Sequence, residues 1–311
     1  MATDPIGAVR RLWAAFVGSA FVAWLRSHRR GIGVTVLVAF AVFLVVYVWT
    51  NPGVIADALS IGWGNLSLLF GLYVLVLVTH FLILLATVRL CGRRIAIGPG
   101  ASLTVYSTVA NFFGPLQTGP GVRAVYLKTT VGVRLRDYTL ATLFYLFVFG
   151  AVNASLLFAT TLPWLSVLGL TVGAGVVVVA TWKLGLGDRA GTVVAIAGIT
   201  VVQALVMSVI YFVEVNAVAG PYDYLHSLVY AASANLSLFV SLTPGAIGIR
   251  EGFLYFAQHL HGIPSDTIVA AGIADRAIYA VFLGVLFLIS GAFHLRSAVQ
   301  QQSAKRLGDS D

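Results

Sequence analysis

From Asn65 to Leu90 the chain reads NLSLLFGLYVLVLVTHFLILLATVRL, and its only charged residue is Arg89, next to the end. A helix crosses the hydrocarbon of a bilayer in about 20 apolar residues. Inside hydrocarbon every backbone N–H and C=O must find its partner within the protein, so a run of this length is restricted to α-helix. A second run, GIGVTVLVAFAVFLVVYVWT over 31–50, has the same property. Strands of a membrane barrel would instead be short and alternating. Composition agrees: 59% of residues are hydrophobic and 10% charged, against about 25% charged in soluble domains. The first apolar run is too long for a signal peptide and lacks a small-residue cleavage site. The single Cys91 excludes an internal disulfide.

The sequence predicts an all-α polytopic membrane protein. Six full spans fall at about 31–50, 65–90, 138–160, 163–182, 191–218 and 267–292. Residues 1–30 form a basic amphipathic segment suited to an anionic membrane surface or to a positive-inside anchor. The transmembrane domain covers 31–294, in halves of about 31–160 and 163–292, and 295–311 reads as a disordered polar tail. Two stretches, 100–132 and 224–262, have short apolar arms around Gly/Pro breaks at Pro115, Gly119, Pro244, Gly245 and Gly248. Broken backbone at membrane depth is tolerated only where protein or a wet cavity surrounds it. Both stretches are therefore expected to be re-entrant helical hairpins.

Charge placement orients the layout. With the N-terminus inside, the loops 51–64, 160–163, 219–225 and 262–266 lie outside and hold no Lys or Arg, only Asp57, Asp223 and Asp266. Of 19 basic residues, only Arg250 and Arg276 then fall outside the inward-facing set. That asymmetry predicts both termini on the inner, cytoplasmic side. A shift of 129 residues superposes Pro115 on Pro244, Gly119 on Gly248 and Asp137 on Asp266. The two aspartates are expected as helix N-caps. Three spans per half would invert the second half relative to the first, a plan common in secondary transporters.

Ionisable groups at membrane depth are few: His80, Arg123, Lys128, Glu214, Arg250, Glu251, Asp275 and Arg276. Each charge there costs about 2.5–3.5 kcal/mol even on the lenient insertion scale. If the hairpin tips meet, Arg123, Arg250 and Arg276 converge on one cavity. The planar guanidinium fork suits phosphate, and a helix start after Gly248 would add backbone donors. Glu251 and Asp275 are the counter-ions, able to take up a proton when an anion leaves; in the plainer alternative the four charges lock the hairpin. Glu251, Tyr255 and Gln258 share a face if 251–262 is helical. Gln203, Met207 and Glu214 form one polar stripe, and Tyr138, Thr142, Tyr145 and Asn153 another, each suited to a cavity wall or to a helix–helix contact. His259 and His261 lack partners at ligand spacing, so no metal is expected, and no nucleotide-binding motif or cofactor fingerprint is present.

SLTPGAIGIREG, with Arg276 in ADRAIYAVFLG, resembles the C-terminal signature of the lysylphosphatidylglycerol synthase transmembrane-region family. NFFGPLQTGPGVRAVYLK is similar to its upstream element through Asn111, Pro115, Gly119, Arg123 and Ala124, with Pro120 where an acid is usual. The resemblance implies a stand-alone flippase moving a phosphate-bearing lipid: anionic, aminoacylated or polyprenyl-phosphate-linked. Arg123, Arg250, Glu251, Asp275 and Arg276 would bind it. The alternatives are a membrane-embedded transferase on a lipid-linked substrate, or a scaffold for a separate synthase or glycosyltransferase. No nucleic-acid partner is expected.

Overall fold

The computed structural model describes residues 61–113, 118–183, 187–240, 246 and 249–308. The basic segment 1–30, the span 31–50 and the breaks Pro115, Pro244, Gly245 and Gly248 lie outside the described residues. Ten α-helices follow in order among the described residues: α1 Trp63–Leu90, α2 Ile97–Phe113, α3 Thr118–Tyr126, α4 Leu135–Leu156, α5 Pro163–Lys183, α6 Ala190–Ala219, α7 Tyr224–Ser237, α8 Ile249–Phe256, α9 Gln258–His261 and α10 Ser265–Gly308. A π-helical turn, Leu127–Val131, follows α3. No strand occurs among the described residues.

Among the described residues, four helices are long and apolar enough to cross a membrane, over Trp63–Leu90, Leu135–Leu156, Gly187–Val218 and Ser265–Gly291. They are apolar on all sides: Leu68, Val74 and Val78 on α1 and Val281, Val285 and Leu288 on α10 face outward, away from the helix packing. An outward apolar face has no place in water, but it suits hydrocarbon. α5 is apolar over Pro163–Val179. The exposed Trp164 and Trp182 mark its two ends. At the helical rise they stand roughly 27 Å apart, close to the hydrocarbon thickness that interfacial tryptophans bracket. The chain is a membrane-embedded helical protein.

Packing repeats between the halves. α1, α2, α3 and α4 recur in order and near the 129-residue shift as α6, α7, α8 and α10. The cores correspond too. Leu84 and Val88 of α1, Leu103 of α2, Leu127 of the π turn and Tyr138 of α4 make one cluster. Tyr211 and Val215 of α6, Tyr230 and Ala234 of α7, Leu254 of α8 and Ile268 of α10 make the other. α1 packs along α6 and joins the halves. α7 is buried from Ser227 to Asn235, and its Ser/Ala-rich sequence lets neighbouring helices approach closely.

Three expectations are corrected. Asp137 and Asp266 stand in the first turns of α4 and α10 rather than at N-caps; Arg134 is the N-cap of α4. Their charge still favours the positive helix end. The true side-chain cap is Asp223, whose Oδ1 accepts from His226 N at 3.0 Å at the start of α7. α10 continues as helix past residue 295 to Gly308, where a disordered tail was expected; SAVQQQSAKRL is rich in Ala, Gln, Lys, Arg and Leu, all good helix formers. Residues 251–262 are not one helix, because α8 ends at Phe256 and α9 restarts at Gln258. Glu251 and Tyr255 still stand one turn apart on α8, where Tyr255 is exposed, and Gln258 falls past the break.

Gly119 has a different role from the expected break. It lies inside α3, and a Cβ there would sit 2.5 Å from Ser107 O and 2.9 Å from Asn111 Cβ. Only glycine lets α3 close on α2. Gly119→Ala should lower stability by about 1–3 kcal/mol, the usual cost of overpacking. Gly121, with nothing within 4 Å of its would-be Cβ, is the control; thermal unfolding of the two purified variants checks the contrast.

Candidate functional site

A buried charged centre is built from four helices, three of them in the second half. α8 supplies Arg250, only 7% exposed, and Glu251. α10 supplies Asp275 and Arg276, α1 Tyr73, and α6 Tyr211 and Glu214. Arg250 Nη1 donates to Asp275 Oδ2 at 2.5 Å and to the Tyr211 hydroxyl at 3.3 Å. Its Nη2 reaches the Gly272 carbonyl at 3.4 Å. Arg276 Nη2 lies 2.5 Å from Glu251 Oε1 and Arg250 Nε 3.8 Å from the same oxygen. On Asp275, Oδ2 therefore faces Arg250, while Oδ1 lies 3.2 Å from the Tyr73 hydroxyl. That hydroxyl is 2.7 Å from Glu214 Oε1.

Spacing explains the convergence. Arg250 and Glu251 open an eight-residue helix, so a short rigid arm holds both against α10. Asp275 and Arg276 are adjacent on α10 and diverge around it, one toward Arg250 and the other toward Glu251. Glu251 also sits in the first turn of α8, where the helix dipole favours a negative charge. Arg250 Nε and Arg276 Nε are buried without an acceptor among the described residues. Upstream, Ala246 is buried with φ of 55°, a left-handed conformation that costs an L-residue about 1–2 kcal/mol.

Arg123 stands elsewhere. Its Nε donates to Ser107 Oγ at 2.7 Å, and its surroundings are His80, Tyr138 and Tyr145. His80 Nε2 is 2.7 Å from Gln203 Nε2, and the Tyr145 hydroxyl donates to Gln203 Oε1 at 3.2 Å. The expected meeting of three guanidinium groups is thus replaced by two polar centres, with Arg250 and Arg276 in one and Arg123 in the other. The repeat supplies the reason. Arg123 on α3 and Arg250 on α8 occupy equivalent helices; Arg123 lies near Tyr138 and Tyr145 of α4 and His80 of α1, and Arg250 contacts Asp275 of α10 and Tyr211 of α6. Both centres share the α1–α6 seam: Tyr73 and His80 are two helical turns apart on α1, roughly 10 Å.

The centres differ in charge. No acid lies between Asp57 and Asp137, and Arg123 has no ion pair among the described residues. The second centre sets three carboxyls against two guanidiniums. Tyr73 and Tyr211 escape a reading by charge alone; their signal is a phenol inside an apolar span, with Tyr73 seven residues from His80 on the same helix face. Of the stripe residues, Glu214 and Gln203 join the centres, while Asn153 Oδ1 accepts from Asn235 Nδ2 at 2.9 Å and ties α4 to α7. His261 is structural. Ile263 N donates to its Nδ1 at 3.0 Å, so its Nε2 carries the proton and donates to Leu254 O at 2.9 Å. With both nitrogens engaged, it offers no lone pair to a metal.

Outside these centres, a cleft of about 580 Å³ opens between Arg93, Arg134 and Arg189 at its rim and Leu140 and Phe144 below. No family model, curated protein or solved structure matches the chain. Fold and site together define the class: an all-helical membrane protein with a buried, ion-paired polar seam.

Proposed function

We propose that this chain moves a phosphate-bearing lipid between the leaflets of a prokaryotic plasma membrane, the activity implied by its resemblance to the lysylphosphatidylglycerol synthase transmembrane-region family. The observation that carries the reading is Arg123: a guanidinium on the α1–α6 seam among Ser107, His80, Tyr138 and Tyr145, with no carboxylate in its own part of the sequence. A cation that has no counter-ion among the described residues in such a setting suits an anion that comes and goes. At the equivalent centre, the Asp275 and Glu251 carboxylates cover Arg250 and Arg276 as a phosphate would, so a headgroup reaching them must exchange with the carboxylates. The short arms α2–α3 and α7–α8 act as re-entrant hairpins entering from opposite sides, which gives each arginine access from one leaflet.

The test is headgroup translocation by the full chain reconstituted in phosphatidylcholine vesicles, followed by dithionite bleaching of fluorescent phosphatidylglycerol. Wild type should expose the inner-leaflet probe, and a fluorescent diacylglycerol should not depend on Arg123. A fluorescent phosphatidylglycerol trace identical to that of protein-free vesicles would refute the reading. Topology has its own expected outcome. Gly132 and Gly262 have φ of 72° and 68°, which makes them poor sites for substitution. In a Cys91→Ser background, the exposed Thr130→Cys should react with an impermeant maleimide from inside only, and Ser265→Cys from outside only. Labelling of both from one side would remove the inversion.

One observation favours a second reading, a static scaffold: Arg250 and Arg276 are each paired in this conformation. In that case the four charges serve only to lock α8 on α10.

A further inference from the structure

Glu214 is completely buried. Its Oε1 accepts from Tyr73, while its Oε2 is buried with no donor among the described residues. The Asp275 carboxyl meets the same Tyr73 hydroxyl through its Oδ1, so the two carboxyls converge on one phenol. Two carboxyls in that relation have no donor between them unless one carries a proton. Tyr73 does not resolve the problem, because its hydroxyl has one hydrogen and faces both, at 2.7 and 3.2 Å.

The charge balance leads to the same place. Arg250 serves Asp275 and Arg276 serves Glu251, so Glu214 has no ion-pair partner among the described residues. The titratable groups facing the pair are Tyr73 on α1, Tyr211 on α6, Tyr230 on α7, Arg250 on α8 and Tyr279 on α10. From α4, the group set against α6 is Tyr145, and its partner is Gln203 rather than Glu214. Among the described residues Arg250 is the cation in this circle, and Asp275 already engages it. Adjacent carboxylates disfavour double ionisation, and burial disfavours it further.

The geometry points to a proton-binding site: one proton shared between Glu214 and Asp275, with the Tyr73 hydroxyl bridging them. The site stands on these contacts alone. Its link to transport rests on the reading of Arg250 given above. When a phosphate takes Arg250, Asp275 loses its counter-charge and accepts a proton from water, which it returns as Arg250 comes back. Headgroup movement through this centre then carries one proton.

Infrared difference spectroscopy of the full chain in phosphatidylcholine vesicles tests the site without any lipid substrate. Wild type should show a protonated-carboxyl C=O band that shifts in D2O, both with and without sodium. The band should vanish in Glu214→Gln and persist in Glu251→Gln. Tyr73→Phe keeps the pair and removes its phenol, so the band should move without disappearing. Absence of the band from wild type, its loss on adding sodium, its survival in Glu214→Gln, or an unmoved band in Tyr73→Phe would each overturn the proposal. Because no headgroup is present, this result and a negative translocation assay are read independently.

Discussion

Replacing Arg250 by alanine should destabilise the helix bundle by about 3–5 kcal/mol, the range for removing one partner of a buried ion pair. The effect has a specific origin. Asp275 would keep its place beside Glu214 and Tyr73 but lose its cation, leaving two carboxyls facing each other in a buried setting. The double variant Arg250→Met, Asp275→Leu should recover most of the loss, since well-packed apolar replacements of buried pairs are often neutral or stabilising. Arg276→Ala should cost less: its partner Glu251 is 24% exposed and solvent screens that pair more. Thermal unfolding of the purified variants gives the ranking. Equal losses for Arg250→Ala and Arg276→Ala would mean that burial does not set the strength of these pairs. The order also bears on mechanism, because the strength of the Arg250–Asp275 pair is the barrier that an incoming phosphate must exchange against.

How much of this was legible in the sequence depends on which physical constraint wrote it. The bilayer fixes how long an apolar helix must be, so the run at 65–90 predicts α1 to within two residues, and 163–182 and 191–218 predict α5 and α6 equally closely. The 129-residue spacing anticipated the recurrence of helix order, since a duplicated plan keeps its intervals even where residue identity is gone. Pairing was less legible. Charge counting found Arg250, Glu251, Asp275 and Arg276 as a group, because ionised side chains are rare in apolar surroundings. Which carboxylate meets which guanidinium depends on how α8 lies on α10, and linear spacing does not carry that. Tyr73 stayed hidden because a tyrosine among leucines and valines is unremarkable until Glu214 and Asp275 are brought to its hydroxyl. The meeting of Arg123 with Arg250 fails for a reason the repeat itself contains: equivalent helices in two halves occupy equivalent places, not the same one.

That last point sets up the sharpest test of function. Arg123→Ala should reduce phosphatidylglycerol translocation at least tenfold, the equivalent of about 1.4 kcal/mol, while leaving the fold intact. The fold should tolerate the change because Arg123 makes one side-chain hydrogen bond among the described residues, to Ser107, and no ion pair; removing an unpaired charge from a helix seam relieves desolvation. Arg123→Lys should recover only part of the rate, since an ammonium meets phosphate as a point charge without the two-pronged geometry. Ser107→Ala should weaken translocation less than Arg123→Ala, because it removes the group that aims the guanidinium rather than the charge. The fluorescent diacylglycerol, which has no phosphate, should be insensitive to all three changes. This pattern separates a transporter from a locked scaffold. In a scaffold, Arg250 is the residue that matters and Arg123 is dispensable; in a transporter, the cation with no carboxylate is the one the lipid needs. Full translocation by a folded Arg123→Ala protein would take the phosphate away from the first centre and leave the paired charges of α8 and α10 with a structural role alone.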